Sequence, residues 1–421
     1  MIVKLKDFML RRGSFILAGM LAAFLLALGG MYVLNLEITR RDKTDAYDGL
    51  LPAGEDTPPA YPLLPNGPVK NVILFIADGM GINQVTLTRL TYYGPDGRLH
   101  LERMPVTGLV NTHSANNLVT ESAAGATAMA SGFKTNNRMA GVTPDSIPRV
   151  SILEVMRDSG RATGMITTTD ITDATPAAFA AHVPHRDDTL TIARQLLDAR
   201  LNLLIGDAKD ILLLLGGSTE ENPEALRRLG EMGYAYIDSQ EALDRSDAPY
   251  LIGHFKRMVT REYSSRIRSE DETASLADIT RRSIELLSRN PQGFFLMVEE
   301  EGTDTGGHAN LPRFVINRLK AFDDAVAEGI EFAMREKNTL VIVTSDHETG
   351  GLTFEEGEVP ARDVEVDWAT RLHTGQMVPL FAFGPHAARF SGVMDNTDIP
   401  KKIARIVGLA EFWKMPMAPK N

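Results

Sequence analysis

Short apolar runs recur along the chain, and segments with a helical pattern lie between them. The runs cover Asn71–Ala77, 162–167, 211–215, 294–298, Thr339–Thr344 and 379–383. Since no regular polar alternation interrupts them, they predict parallel strands covered on both faces. Apolar residues with helical spacing occupy the intervening segments 192–199, 275–288 and 314–335. The alternation of strands and helices predicts an α/β fold with an open, mostly parallel sheet in one large domain.

The N-terminal region carries a second kind of pattern. Residues 1–12 contain four basic side chains and precede an uncharged, mainly apolar segment at 13–36. That segment is long enough to span a bilayer, and we interpret it as a transmembrane signal anchor that leaves residues 1–12 in the cytoplasm. The alternative is a signal peptide cleaved near the small residues Ala27 and Gly29. Either interpretation exports the remainder to the periplasm or the exterior, tethered to the cytoplasmic membrane in the first case and secreted in the second.

Residues 37–68 separate this segment from the first apolar run of the folded region. They are charged at first and then rich in proline. Such a composition favours a stiff, extended chain. We therefore expect a tether at 37–68 and a single folded domain at 69–421.

The composition restricts the partners and the metal ligands that this chain can use. Lys and Arg total 44 against 55 Asp and Glu, for a net charge of -11. Nucleic acid is therefore not expected as a partner, because its recognition calls for a basic face. The chain has no cysteine, so any metal must be held by His, Asp, Glu and hydroxyl groups.

Polar side chains follow four of the predicted strands. They are Asp78, Asp173, Thr175, Glu299, Asp346 and His347. Each alone is ordinary as a turn former or helix cap. The carboxyl ends of parallel strands meet at one edge of the sheet, where sites form, so their joint occurrence indicates a functional centre.

Further ligand-type residues lie between and after these strands. Asp304 and His308 are four residues apart, so a helical turn brings both side chains to one face. His373 is a candidate third ligand, although each histidine alone is more often a surface or hydrogen-bonded residue. The nitrogen and oxygen donors suit Zn²⁺ or a similar ion, and the oxygen-rich part suits Mg²⁺.

Ser122 precedes an Ala-rich helical run, and Arg186 follows Thr175 along the chain. Ser122 fits an ordinary first-turn position, but a helix N-terminus also stabilises an attached phosphate. No histidine is evidently dedicated to activating this serine, and a bound cation would lower its hydroxyl pKa instead. Arg186 is either a surface residue or a fork that binds two phosphate oxygens.

Six motifs occur in an order that resembles the alkaline phosphatase family. They are DGMG at 78–81, TESAAGATA at 120–128, DATPAAFAAHV at 173–183 with Arg186 after it, VExxxxDxxxH at 298–308, SDHETGG at 345–351 and HTG at 373–375. The similarity runs from about residue 69 to about 384. It implies a three-layer sandwich with helices on both sides of the sheet, and hydrolysis of small phosphate monoesters.

The resemblance also implies three metal ions. One zinc ion would be held by Asp304, His308 and His373. A second zinc ion, beside Ser122, would be held by Asp78, Asp346 and His347. A magnesium ion would be surrounded by Asp78, Thr175 and Glu299, with Asp173 acting through water. Ser122 would become phosphorylated in an in-line mechanism that uses both zinc ions, and Arg186 would grip the phosphoryl group.

The chain departs from the family at two positions near this centre. Glu121 replaces the usual Asp before the nucleophile, which puts the orientation of Arg186 in question. Thr305 stands where a Lys, His or Trp is common. The short interval from His347 to His373 leaves little room for a crown-like insertion, and a homodimer is expected by analogy alone.

Two other hypotheses compete with phosphomonoester hydrolysis. Phosphodiesterase or sulfatase activity shares the two-metal core on the same fold, but Ser122 and Arg186 argue against it. A catalytically silent phosphate- or metal-binding protein would lack a ligand or the nucleophile, and this chain retains all of them.

The anchor interpretation makes a first prediction. The full chain should fractionate with membranes, and deletion of residues 1–40 should release an enzyme that keeps its turnover, because the tether contributes no ligand. Fractionation and N-terminal sequencing test this. Soluble protein that begins near Gly30 would establish the cleaved signal instead.

Overall fold

A computed structural model describes residues 59–216, 222–255, 257–259, 273–358, 363–409 and 411–414. The chain forms two compact units. One unit comprises Gly49–Thr353 and Trp368–Asn421 and holds the main sheet and all the candidate site residues. The second has its described residues within Phe354–Asp367, a segment made largely of two strands.

A sheet of ten strands organises the larger unit. In spatial order the strands are β16 (Gly392–Asp395), β2 (Val106–Asn111), β15 (Val378–Phe383), β10 (Thr339–Thr344), β1 (Asn71–Ala77), β9 (Phe294–Glu300), β3 (Ala162–Asp170), β4 (Leu203–Asp207), β6 (Leu251–His254) and β5 (Ala235–Ile237). Two-stranded sheets pair β7 (Arg257–Val259) with β8 (Thr273–Ser275), β11 (Glu348–Thr349) with β14 (His373–Thr374), and β12 (Leu352–Glu358) with β13 (Asp363–Trp368).

The large sheet is mostly parallel, as predicted. Strand β1 pairs in parallel with β10 on one side and β9 on the other, and β9 pairs in parallel with β3. Strand β15 runs antiparallel to both of its neighbours, β10 and β2. The prediction that the run at 379–383 is a parallel strand is therefore wrong in direction, because burial on both faces does not specify strand direction.

Helices surround the sheet. The α-helices are Ile82–Tyr93, Ser122–Ser131, Ile152–Asp158, Ala174–Ala180, Thr189–Asp198, Lys209–Leu214, Pro223–Glu231, Gln240–Arg245, Leu276–Leu287, Gly302–Ala309, Pro312–Glu336 and Asp398–Ile406. Short 3-10 helices cover Leu101–Arg103, Ala387–Phe390 and Phe412–Lys414. The predicted helices at 192–199, 275–288 and 314–335 all occur, with ends shifted by a few residues.

Two separate apolar cores cover the faces of the sheet. Along β1, Val72 and Leu74 point into one core, whereas Ile73 and Phe75 point into the other. The first core includes side chains of the Ser122–Ser131 helix, and the second includes side chains of the Pro312–Glu336 helix. Alternate residues of a strand face opposite sides, so this division confirms the three-layer α/β sandwich.

The apolar run at 211–215 was predicted as a strand, and this prediction is wrong. It belongs to the helix Lys209–Leu214, and the strand lies earlier, at β4. Ile211 and Leu212 are buried while Leu213 is 52% exposed. The run therefore has one covered face only, and a run this short cannot be assigned by periodicity alone.

Tyr61, within the last ten residues of the predicted tether, packs against the folded domain. Tyr61 is 9% exposed, its ring lies 5.9 Å from that of Phe383, and its hydroxyl is 2.7 Å from His100 Nδ1. The Arg103 guanidinium lies 4.2 Å from the Tyr61 ring centroid. The predicted segment 13–36 lies outside the described residues, and no helix within the described ranges is long and apolar enough to cross a membrane.

The packing of Tyr61 makes a second prediction. Tyr61→Ala should lower the free energy of unfolding by about 3 kcal/mol, because it removes a buried aromatic ring. Urea denaturation measures the loss. Leu63→Ala is the matched control in the same segment, since Leu63 is 61% exposed. Equal, small effects of both substitutions would mean that residues 59–68 are a free tether after all.

Candidate active site

The sheet order brings the predicted strand-end residues together. Strands β10, β1, β9 and β3 are consecutive neighbours. Asp78 follows β1, Asp346 and His347 follow β10, and Glu299 lies near the end of β9. Asp173 caps the helix Ala174–Ala180 after β3, accepting a hydrogen bond from Ala174 N. These residues converge at the carboxyl edge of the sheet because the four strands are parallel.

Asp304, His308 and His373 form the first cluster of ligand-type side chains. The helix Gly302–Ala309 places His308 Nε2 3.3 Å from Asp304 Oδ2. His373, on β14, has its Nε2 3.6 Å from Asp304 Oδ1 and 3.1 Å from His308 Nε2. Both Nδ1 atoms face backbone carbonyls, of Arg371 at 2.6 Å and of Thr120 at 3.0 Å. Each ring thus donates from Nδ1 and directs Nε2 at the shared centre, the arrangement expected of metal-binding histidines.

The second cluster comprises Asp78, Asp346 and His347, all buried. His347 Nε2 is 3.4 Å from Asp78 Oδ1 and 3.2 Å from Asp346 Oδ2. Ser122 Oγ lies 3.4 Å from the same nitrogen. Ser122 is the first residue of its helix and is 5% exposed. The serine hydroxyl is therefore directed at the atoms that would hold a cation.

The second cluster meets the chemical requirements of a cation site. Asp78 Oδ1 and Asp346 Oδ2 are buried and have no hydrogen-bond partner within the described part of the chain. Burial, and then the charges of Asp346 and Asp304, raise the pKa of Asp78 well above its ordinary value. Burial, and then the charge of His373, lower the pKa of His347. A neutral imidazole beside two unpaired carboxylate oxygens favours a divalent cation, which neutralises the acids.

A proton competes for the first cluster. The hydrogen bond with Asp304, opposed by partial burial, raises the pKa of His308 to about 9. A cation that binds Asp304, His308 and His373 must displace this proton. Cation affinity at the first cluster should therefore increase with pH.

Glu299 lies outside both three-residue clusters. Thr167 Oγ1 donates to Glu299 Oε2 at 2.6 Å. Burial, and then the charge of Asp173, raise the pKa of Glu299 well above its ordinary value. The nearby helix Ala174–Ala180 carries Thr175, whose buried side chain interacts with Glu299. This oxygen-rich set fits a hard cation such as Mg²⁺.

Arg186 is held between two carboxylates. Its Nη1 donates to Glu121 Oε2 at 2.9 Å, and its Nη2 donates to Asp173 Oδ1 at 2.8 Å. Burial opposes the charged form, but Asp173 and Glu121 outweigh it and raise the pKa of Arg186. Glu121 also caps the Ser122–Ser131 helix, accepting from Ala123 N at 3.1 Å and Ala124 N at 2.8 Å. One carboxylate thus connects the candidate nucleophile's helix to the arginine.

Sequence reasoning missed Thr349 and His182, which both make buried side-chain contacts. Thr349 Oγ1 donates to Asp304 Oδ1 and lies 3.2 Å from His347 Nδ1, so it bridges the two clusters. Its place in the SDHETGG motif was a signal that could have identified it. His182 is buried, with its Nδ1 2.8 Å from Gly141 O and its Nε2 3.2 Å from Glu154 Oε1. His182 lies four residues before Arg186, but a pair with Glu154 has no local pattern.

The fold and the arrangement of the site residues indicate a general class of enzyme. A serine at a helix N-terminus, two clusters of metal-ligand type and a half-buried arginine lie at the carboxyl edge of an α/β sheet. This combination is typical of a hydrolase that uses metal ions.

Comparison with known proteins gives the family. The alkaline phosphatase family model matches residues 69–363 and 356–409. Alkaline phosphatase from Escherichia coli strain K12 is 31% identical over 85% of this chain and 90% of that protein. Streptomycin-6-phosphate phosphatase from Streptomyces griseus is 31% identical over 81% of this chain and 91% of that protein. The solved alkaline phosphatase from the Antarctic bacterium TAB5 superposes with a TM-score of 0.70 at 30% identity, covering 83% of this chain and 100% of that one.

The chain belongs to the alkaline phosphatase family, as the sequence motifs predicted. It is a phosphoric monoester hydrolase, and the family is metal-dependent.

The buried pair of His182 and Glu154 makes a third prediction. Burial raises the pKa of Glu154, but the hydrogen bond and charge of His182 outweigh burial, so the net shift is downward. A lowered carboxyl pKa stabilises the fold above the ordinary pKa, and this stability is lost as pH falls through the lower folded value. Glu154→Gln should therefore lower the free energy of unfolding at pH 7 by about 1–3 kcal/mol, the range for losing a buried hydrogen bond to a charged group. This loss should shrink as pH falls through the carboxyl pKa.

Urea unfolding of metal-free wild type and variant at neutral and at acid pH measures this difference. Glu336→Gln is the control, since Glu336 pairs with Arg335 at the surface. A Glu154→Gln deficit that stays constant over the whole pH range would contradict the lowered carboxyl pKa of Glu154.

Proposed function

We propose that this enzyme hydrolyses small phosphate monoesters through a phosphoserine at Ser122, with zinc at the two clusters and magnesium near Glu299. The observation that carries the proposal is the approach of Ser122 Oγ to 3.4 Å from His347 Nε2, beside Asp78 and Asp346. This short distance supports Ser122 as the nucleophile beside the second cluster. The Mg²⁺ assignment gains support from a TAB5 alkaline phosphatase mutant described with Mg bound in its M3 site.

Ser122 carries out the covalent chemistry in this proposal. Its Oγ forms a bond to phosphorus while the bond from phosphorus to the alcohol oxygen breaks, and the alcohol leaves with a proton. Water then attacks phosphorus, which releases inorganic phosphate and restores the Ser122 hydroxyl. The N-terminus of the Ser122–Ser131 helix favours the negative phosphoryl group. When bound, the cations would supply Lewis-acid activation of the nucleophile and charge neutralisation at the attacking and leaving oxygens.

Arg186 positions the phosphoryl group. A guanidinium has five N–H donors, and contacts with Glu121 and Asp173 account for two hydrogen bonds. Donors therefore remain for phosphate oxygens, and the two carboxylates restrict the fork to one place. Restriction before the substrate arrives reduces the entropy lost on binding.

We also propose that the catalytic domain is exported and remains tethered to the membrane by residues 13–36. Support comes from the length and apolar character of that segment together with the basic residues before it. Secretion after cleavage is the alternative. A homodimer is proposed by analogy with the family.

The proposed intermediate makes a fourth prediction. Wild-type enzyme mixed with an aryl phosphate and quenched in acid should carry phosphate on Ser122, and mass spectrometry should locate it. Ser122→Ala should lose both the label and the burst of alcohol, because no oxygen remains at that position. A label or burst that persists in the variant would assign the reaction to another nucleophile.

Metal removal is the companion measurement for the same proposal. Chelation should abolish turnover, and Zn²⁺ with Mg²⁺ should restore it, since ligands from several strand ends require the cation. Turnover that survives verified removal of metal would contradict the assignment of cations to both clusters.

Arg186 makes a fifth prediction, which tests substrate class. A monoester dianion offers one more charged oxygen than a diester, so an arginine fork helps monoesters more. Arg186→Ala should lower monoester kcat/KM by roughly 10- to 1000-fold, with a clearly smaller loss on diesters. Glu121→Ala should act in the same direction by less. Equal losses on both substrates, or a wild type that prefers diesters, would favour a phosphodiesterase.

A further inference from the structure

The backbone of Arg138 lies between Glu121 and Arg186. Arg138 N donates to Glu121 Oε1 at 2.8 Å, and Arg138 O accepts from Arg186 N at 2.8 Å. Glu121 Oε2 in turn accepts from Arg186 Nη1. The three residues form a closed ring of hydrogen bonds that includes the main chain of Arg186 as well as its guanidinium.

Arg138 occupies an uncommon backbone conformation. Its φ angle is 73°, in the left-handed region that favours glycine. Non-glycine residues at positive φ are uncommon, and backbone strain of this kind clusters at functional sites. In this conformation a single residue presents its N–H to Glu121 and its carbonyl to Arg186.

Neighbouring contacts hold the same two segments together. Ala140 and Val183 exchange backbone hydrogen bonds of 3.0 and 2.9 Å. The Arg138 side chain donates from Nε to His185 Nε2 at 3.2 Å and pairs with Asp187. The Arg138 and Asp187 side chains are at least half exposed, and exposed pairs contribute little to stability. The main chain of Arg138, more than its side chain, therefore determines the geometry.

We propose that Arg138 is a positioning residue for Arg186, acting through its left-handed backbone. The proposal rests on the phosphate-binding role given above to Arg186. Arg138 fixes the position of Glu121 relative to the Arg186 main chain. The Arg186 guanidinium is therefore oriented for phosphate before phosphate binds. The conformation of residue 138, and not its charge, sets phosphate affinity.

Two substitutions at this position separate conformation from charge. Arg138→Gly removes the side chain but adopts the left-handed conformation at no steric cost. Arg138→Val removes the same side chain and is β-branched, which makes positive φ unfavourable. Arg138→Gly should keep the Ki for inorganic phosphate within about 3-fold of wild type, whereas Arg138→Val should raise it by roughly 5- to 30-fold. Monoester kcat/KM should fall in parallel, and diester kcat/KM should fall less.

Lys337 supplies the matched control. Its φ angle is 56°, and it ends the helix Pro312–Glu336 at the amino end of β10, the opposite edge from the site. Lys337→Val should lower the melting temperature, as Arg138→Val does, but should leave the Ki for phosphate unchanged. A general loss of stability would not produce this difference.

Arg186→Ala, measured alongside, keeps the two proposals apart. If Arg186→Ala leaves phosphate affinity unchanged, the role of Arg186 itself is wrong. If Arg186→Ala weakens phosphate binding but Arg138→Val does not, the inference about Arg138 alone is overturned. Equal weakening by Arg138→Gly and Arg138→Val would overturn it too, because the side-chain charge would then be responsible.

Discussion

The centre of this protein depends on carboxylates that are buried side by side, where loss of solvent, and then the charge of neighbouring acids, disfavour the ionised form. Asp78, Asp346 and Glu299 have raised pKa values because they share a desolvated edge of the sheet. Such a group of acids is unfavourable unless protons or cations neutralise it. Asp78 and Asp346 each have a buried oxygen that finds no hydrogen-bond partner among the residues that the structure describes. The metal dependence of the family agrees with this constraint, since the sheet brings the acids together and cations neutralise their charge.

Glu121 makes several hydrogen bonds beside this group of acids. Glu121 is one methylene longer than the usual Asp, a departure that puts the orientation of Arg186 in question on the sequence alone. Its two oxygens accept from Ala123 N, Ala124 N, Arg138 N and Arg186 Nη1. The longer side chain is thus anchored at a helix end and to a neighbouring loop, and the contact with Arg186 is retained. Arg138, whose N–H donates to Glu121, has an uncommon backbone angle. We attribute the positions of Glu121 and Arg186 to that backbone.

Much of the site could be predicted because its residues occur in short motifs. Asp304 and His308 are four apart, and helical geometry alone brings them together. The sequence predicts that the strand ends lie at one edge of the sheet. It does not predict that β10, β1, β9 and β3 are consecutive neighbours, since strand order depends on packing between distant segments. The pair of His182 and Glu154 could not be predicted, because the partners are separated along the chain by a strand and a helix. A similar limit applies to the run at 211–215. A short apolar run fits either a buried strand or a helix, and only the structure shows that this one is a helix with Leu213 exposed.

The sequence by itself determined the α/β class, the family motifs and the identity of the ligand-type residues, because these depend on local composition and spacing. Only the tertiary structure decided that β15 runs antiparallel, that Tyr61 belongs to the folded domain, and that Thr349 lies between the two clusters. It also decided how Glu121, Arg138 and Arg186 form one ring of hydrogen bonds. Those outcomes depend on contacts between residues far apart in the chain, and local propensity carries no information about which distant surfaces meet.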